Sequence, residues 1–279
     1  MPLPRFIFAW LRKRNWRDSF SMENRKYGLK LAAPKPEDWK FGSSPLEMKV
    51  IQPGGQWDEF LPVEEKQAPN GFETSGCVSF GSTSVLEILA SKLYKESKNF
   101  SDRWLIKQSG TDPRSGATVE QVLETLRKLG VPLQERWDFG PDITSVEQFF
   151  ETPPPKLFDY AREDFSDPYD FKYDSVPANQ VAIKSALECS PLGVSVSAWH
   201  LGEDGIHRSK GMPNNHWCVL YGYDDEKQAL KIFDSYDGFK KLYSYDSEMQ
   251  IVKRYWIKKK SPSVKKRFSL LKFLSGLLI

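Results

Sequence analysis

Between residues 77 and 95 the apolar side chains Val85, Leu86, Leu89, Ala90 and Leu93 recur on one face of a 3.6-residue repeat. The spacing predicts a helix over 77–95. Its first turns are small and polar, Gly81-Ser-Thr-Ser84, which suits a helix wedged between two packed halves. A second helix is expected over 118–129, where Val119, Val122, Leu123 and Leu126 share a side, Thr118 is a cap and Gly130 a stop. A short helix at 179–188 follows, and there the period falls from 3.6 to two. In Leu192-Gly-Val-Ser-Val-Ser-Ala-Trp199 apolar residues alternate with small polar ones. Strands are expected at 216–223 and 229–233, joined by a hairpin-like turn at 224–228, with closing strands at 240–245 and 249–257. Helices first and strands later make this an α+β chain.

The flanks break the pattern. Residues 1–48 mix basic, aromatic and proline residues without periodicity and read as an extension or wrapping arm. The stretch 140–178, rich in Pro, Asp, Phe and Tyr and containing Pro153-Pro-Pro155, reads as a surface-packed linker. The expected division is therefore an N-terminal extension over 1–48 and a domain over 49–260, with a tail over 261–279. Within the domain, a helical lobe at 70–140 precedes a β lobe at 178–260. In the tail, Phe268, Leu270, Leu271, Phe273, Leu274, Leu277 and Leu278 leave a narrow polar stripe. As a helix, 265–279 would be roughly 22 Å long, short of the hydrocarbon thickness. Its basic lead-in, Lys265-Lys-Arg267, suits a membrane interface; docking on its own domain or on a partner is the alternative.

Charge narrows the classes. The formal net charge is only +3, and the excess gathers near the two ends, in Arg12–Arg17, Lys258–Lys260 and Lys265–Arg267. Nucleic-acid binding calls for a basic face across the fold, so it is not expected. The three cysteines, Cys77, Cys189 and Cys218, give an odd count and no disulfide framework, which fits a reducing compartment or an unoxidised enzyme. Phe6–Leu11 is too short for a signal-peptide core, and its basic cluster follows instead of preceding it. The expected location is cytoplasmic or virion-associated, with peripheral membrane association through the tail.

Candidate chemistry comes from three places. Cys77 opens the first helix, where the macrodipole favours a thiolate. His216 opens an alternating strand after the Pro213-Asn-Asn loop. Asp234 closes the next strand, and an antiparallel hairpin would bring it to the imidazole. Nucleophile, base and orienting acid are the requirements of thiol catalysis. Asp237 competes for the orienting role, although Asp237-Gly238 also reads as a turn. His200 is expected to face solvent and His207 to sit in a charged loop. Cys189 and Cys218 read as small core residues. Gln67 is the candidate side-chain donor to an oxyanion, beside the Cys77 N–H, with Asn70 as alternative. No cofactor or metal is required.

At this point the chain resembles the papain-like cysteine peptidases over roughly 50–258. The resemblance rests on Trp57 through Gln67, on Gly76-Cys77-Val-Ser-Phe80, and on Phe100-Ser-Asp-Arg-Trp-Leu105. Gly130-Val131 through Trp137-Asp-Phe139, the stretch Asn179 to Val196, and Asn215-His216 with Val219-Leu-Tyr-Gly-Tyr223 extend it. It implies a two-lobed fold, a helical lobe and an antiparallel β-barrel-like lobe, with the active cleft between. Cys77 would attack a peptide carbonyl, and His216 would take and return the proton. The family's asparagine falls on Asp234, and its shielding tryptophan on Tyr236. Gln67 lies ten residues before Cys77, four more than the family spacing, and the family disulfides are absent. The arm, about half the size of a full inhibitory propeptide, resembles the short leader of bacterial and phage-type relatives. The expected function is thiol-dependent hydrolysis of peptide or protein substrates. An inactive binding or scaffold protein of the same shape and a cell-wall amidase of the NlpC type are the alternatives.

Overall fold

The computed structural model describes Arg25, residues 27–68 and residues 70–261; the tail expected to bind membranes lies outside them. Strand β1 (Leu29–Lys30) belongs to the arm, and α1 (Cys77–Tyr94) follows it. Helix α1 begins where the apolar spacing places it and is buried along most of its length. Its small residues have a packing reason. A Cβ on Gly81 would lie 2.8 Å from Cδ1 of Trp217, so the first turns let the helix lie close on the sheet. Lys95 caps it in the left-handed region, φ 59°.

Helix α2 (Asp102–Gln108) is capped by Ser101, whose Oγ accepts from Trp104 N. After β2 (Ala117–Thr118) comes α3 (Val119–Leu129), which starts with a capping box between Thr118 and Gln121. The linker expected over 140–178 is not one. It carries α4 (Val146–Phe149), α5 (Lys156–Ala161) and strand β3 (Tyr169–Ser175). Each helix there is too short for a 3.6-residue period to register, and α5 starts directly after the prolines that read as a break.

Helix α6 (Gln180–Leu187) is capped by Asn179. The remaining strands are β4 (Leu192–Val196), β5 (His200–Leu201), β6 (Ile206–Arg208), β7 (His216–Asp224), β8 (Ala229–Phe233), β9 (Lys240–Ser244) and β10 (Val252–Lys259). With β3 they form an eight-stranded sheet in the order β3-β10-β4-β7-β8-β9-β6-β5, antiparallel except between β6 and β9. The expected α+β class holds. Helix α1 packs on β4, β7 and β10 around Leu86, Ile88, Val194 and Leu220.

The described part of the arm is wound on the domain. Trp39 and Phe41 exchange backbone hydrogen bonds with Ser175 at the end of β3. Arg254 of β10 is buried and makes a two-pronged ion pair with Asp174 of β3, which also accepts from Ser44 of the arm. Among the described residues no helix is long and apolar enough to cross a membrane.

Candidate active site

Cys77 is the first residue of α1 and is fully buried. Two features set its position. A Cβ at Gly76 would collide with Ile106, so glycine is what lets α2 pack against the head of the helix. Ser75 adopts the left-handed region, φ 54°, where the chain turns into the helix. The sulfur thus sits at the N-terminal end of α1.

His216 begins β7 and is buried. Its Nε2 lies 2.6 Å from Oδ1 of Asp234, the residue after β8, as the hairpin register predicts. Its Nδ1 is buried and, among the described residues, has no hydrogen-bond partner. One ring nitrogen is fixed by the acid and the other is left for a further group. The rings of Tyr27, Trp199 and Tyr236 lie 5.0, 5.6 and 5.5 Å from the imidazole and exclude water.

Cys218, two residues along β7, points to the same face, with Sγ 3.7 Å from Asp234 Oδ1. Burial pushes its thiol up to about 12, so it is neutral at ordinary pH. Burial also acts to discharge His216, but its neighbours Cys218 and Asp234, the latter hydrogen-bonded to it, outweigh burial and raise its pKa above the usual value. Asp234 responds oppositely: burial works against its charge, yet His216 and Lys241 hold its carboxyl far below the carboxylate range. Lys241 Nζ is 2.8 Å from Asp234 Oδ2, an ion pair by distance without directed hydrogen-bond geometry. The donor atoms of His216, Cys218 and Asp234 lie within 4.8 Å of one another. With one carboxylate oxygen taken by the imidazole and an ammonium against the other, the cluster is built for a proton rather than a cation.

Gln67 is buried, and both hydrogens of its amide are engaged, with Glu73 Oε1 and Tyr236 OH each 2.8 Å from Nε2. Its Oε1 accepts from Ser235 Oγ at 2.7 Å. Tyr236 in turn donates to Glu73 Oε2 at 2.6 Å, and Glu73 Oε1 accepts from Ser75 N at 2.9 Å. The longer loop between Gln67 and Cys77 is therefore folded back on itself through Glu73. Asn70 is an exposed loop tie that donates to Ile143 O at 2.6 Å. Asp237 faces solvent and pairs with Lys66.

The arm crosses this site. Gly28 O accepts from Ala117 N at 2.9 Å, while Leu29 N donates to Asn215 O at 3.2 Å. Strand β1 runs parallel to β2. Residues 27–30 thereby bridge the helical side and the His216 side, and a Cβ on Gly28 would collide with the Ser75 carbonyl. Arg25 lies over the Tyr236 ring, 4.6 Å from its centroid.

No protein-family model and no curated protein sequence matches the chain. Solved structures do. Xylellain, a cysteine protease from Xylella fastidiosa, superposes with a TM-score of 0.59 at 15% identity, covering 85% of this chain and 97% of that one. The cysteine protease and lectin-like domains of Cwp84 from Clostridium difficile give 0.60 at 15% identity over 73% of this chain, which spans 51% of theirs. Cwp84 after propeptide cleavage gives 0.58 at 16% identity, over 73% of this chain and 57% of that one. The fold is papain-like.

Within this papain-like frame the structure gathers His216, Asp234 and Tyr236 at one point, with Gln67 tied to Tyr236, and sets Cys77 at the head of the helix that packs on β7. It corrects the reading of His207, which is not in a loop: it lies in β6, half-buried, with Nδ1 3.2 Å from Leu242 O and its ring 5.5 Å from Trp199. His200 is exposed as expected. Sequence reasoning missed Tyr27, Glu73, Trp199 and Lys241. Only Lys241 left a trace: of the two consecutive lysines opening β9, alternation turns one inward.

Proposed function

We propose that the chain is a thiol-dependent peptidase that hydrolyses peptide bonds through an acyl-enzyme on Cys77. The observation that carries this reading is the state of His216: Nε2 is bound to a buried carboxylate, Nδ1 is buried with no hydrogen-bond partner among the described residues, and α1, headed by Cys77, packs on the strand that His216 opens. In the first half-reaction the Cys77 sulfur, its proton passed to His216 Nδ1, attacks the carbonyl carbon. The Cys77 backbone N–H and the Gln67 amide receive the oxyanion, and the imidazolium returns the proton to the leaving amine. Water, deprotonated by the same nitrogen, then releases the acid and regenerates the thiol. Asp234 holds the ring and its tautomer throughout.

The arm makes the described form a closed one. On this reading a substrate strand takes the place of residues 27–30, using the Ala117 N–H and the Asn215 carbonyl that Gly28 and Leu29 now engage. Turnover requires residues 27–30 to leave. A relative in fold, Cwp84, has been solved after propeptide cleavage, which supports a removable segment here. An inactive scaffold of the same shape would keep the arm in place permanently.

The two readings separate on labelling by a peptide bearing a thiol-reactive electrophile. The peptidase predicts modification of Cys77 that vanishes in His216→Ala. Equal reactivity in that variant, with no peptide cleaved by the parent, assigns the chain to the scaffold class.

A further inference from the structure

Asp234 occupies the position where the family resemblance places a neutral amide, and its side chain has no exposed surface. A bare carboxylate there would alter the charge count of the site. Paired with imidazolium it would form a neutral couple and leave a Cys77 thiolate uncompensated in a dry environment. Lys241 changes that count. Its side chain is 5% exposed, and Nζ lies 2.8 Å from Asp234 Oδ2, the carboxylate oxygen that His216 does not use.

The ammonium is held from behind. It donates to Gly238 O at 2.6 Å and Asp237 O at 3.1 Å, and lies 5.5 Å from the Trp199 ring centroid. Register explains how it arrives: Lys241 pairs with Ile232, two residues before Asp234 on the same sheet face.

We propose that Lys241 is a positioning residue that cancels the Asp234 charge, so that the ion pair presents to His216 the dipole a neutral amide would offer. Cys77 thiolate and His216 imidazolium then remain as the balancing pair. The inference rests on the peptidase reading for its catalytic meaning, while the charge relationship itself can be measured without turnover.

The other titratable groups around Asp234 and His216 are Cys218 on β7, His207 on β6 behind Trp199, Tyr27 from the arm, and Tyr236 with Glu73 behind it. Arg25 lies over Tyr236, and Cys77 heads α1. Cys218 and the tyrosines keep their protons at neutral pH, and burial lowers the His207 pKa. All of these groups stay in place in the variants below, so their influence cancels in the comparison.

The test is an NMR pH titration of the imidazoles in the full chain. There are three histidines, and the His216 signal is the one lost in His216→Ala. Lys241→Met should raise the His216 midpoint by about one unit, and Asp234→Asn should lower it by a similar amount. The double variant should return to within about 0.3 unit of the parent. On an arm-displaced Gly28→Val background, peptide turnover should fall in both single variants and recover about tenfold in the double relative to Lys241→Met.

An unmoved midpoint in Lys241→Met overturns the proposal, as does a double variant that shows the sum of the two losses. If Lys241→Met does not fold, Asp234→Asn and the double decide. A double as unfolded as the single would mean that Lys241 serves only the carbonyls of the 237–238 turn, which also overturns the proposal. A complete charge cycle in a protein that never cleaves peptide would sink the peptidase reading and leave this one standing.

Discussion

Gly28 of the arm lies against Ser75, two residues ahead of Cys77, so closely that any side chain at position 28 would strike the Ser75 carbonyl. The arm therefore reaches the head of the α1 helix only because residue 28 has no Cβ. Occupation of the site and composition of the arm are one fact.

Gly28→Val should open the site. The branched side chain cannot coexist with Ser75, so residues 27–30 should dissociate while Leu46 and Phe41 keep the rest of the arm on the domain. Peptide turnover should rise by about tenfold or more, the response expected when a closed population is displaced. Reduced turnover with an intact fold would show that the arm supports the site instead of covering it.

Tyr236→Phe tests the amide of Gln67. With both amide hydrogens engaged, an oxyanion receives a full hydrogen bond only when one is released. Removing the Tyr236 hydroxyl frees one and keeps Glu73 as the anchor. The acylation rate, followed by burst kinetics on an arm-displaced background, should rise several-fold, at a stability cost of about 1 kcal/mol. A stability loss with no change in rate would place the restraint elsewhere.

Glu87 predicts a pH dependence of stability. It is buried on α1 and accepts from Phe100 N at 2.7 Å; burial raises its pKa from 4.5 to about 8. Because the folded value lies above the unfolded one, the folded state binds this proton more tightly. The contribution is complete below about pH 4.5 and is lost as pH rises through about 8. Glu87→Gln keeps the acceptor and cannot ionise. Denaturant melts should show it more stable than the parent at pH 9, on the order of 3 kcal/mol, with the two converging near pH 4. A constant difference across that range would remove ionisation as the cause.

Asp174→Ala should be costly. It strands the buried Arg254 guanidinium and cuts the Ser44 tie to the arm, so a loss of about 3–5 kcal/mol is expected in urea unfolding. The paired change Asp174→Leu with Arg254→Met should recover most of it, because no unpaired charge remains.

Much of this was legible along the chain. The 3.6-residue period over 77–95, the Thr118 cap and the alternation after residue 192 describe elements held by local sequence, and the structure has them within a few residues. His216 and Asp234 meet because two strands joined by a short turn place the start of one near the end of the other. The linker reading over 140–178 failed because its helices are too short for a period, and its strand gains its identity by pairing with β10 across some eighty residues.

What the amino-acid order settled was which groups exist and which helix or strand end carries each: a thiol at a helix start, an imidazole at a strand start, an acid at a strand end. What the folded chain alone decided was their company. Lys241 beside Asp234, Glu73 and Tyr236 on the Gln67 amide, and Tyr27 over His216 are contacts set by strand register and loop packing, which no single periodic segment contains. Side-chain chemistry and periodicity are local properties; the partner of a buried charge is fixed by strand register and by how loops and strands pack on one another.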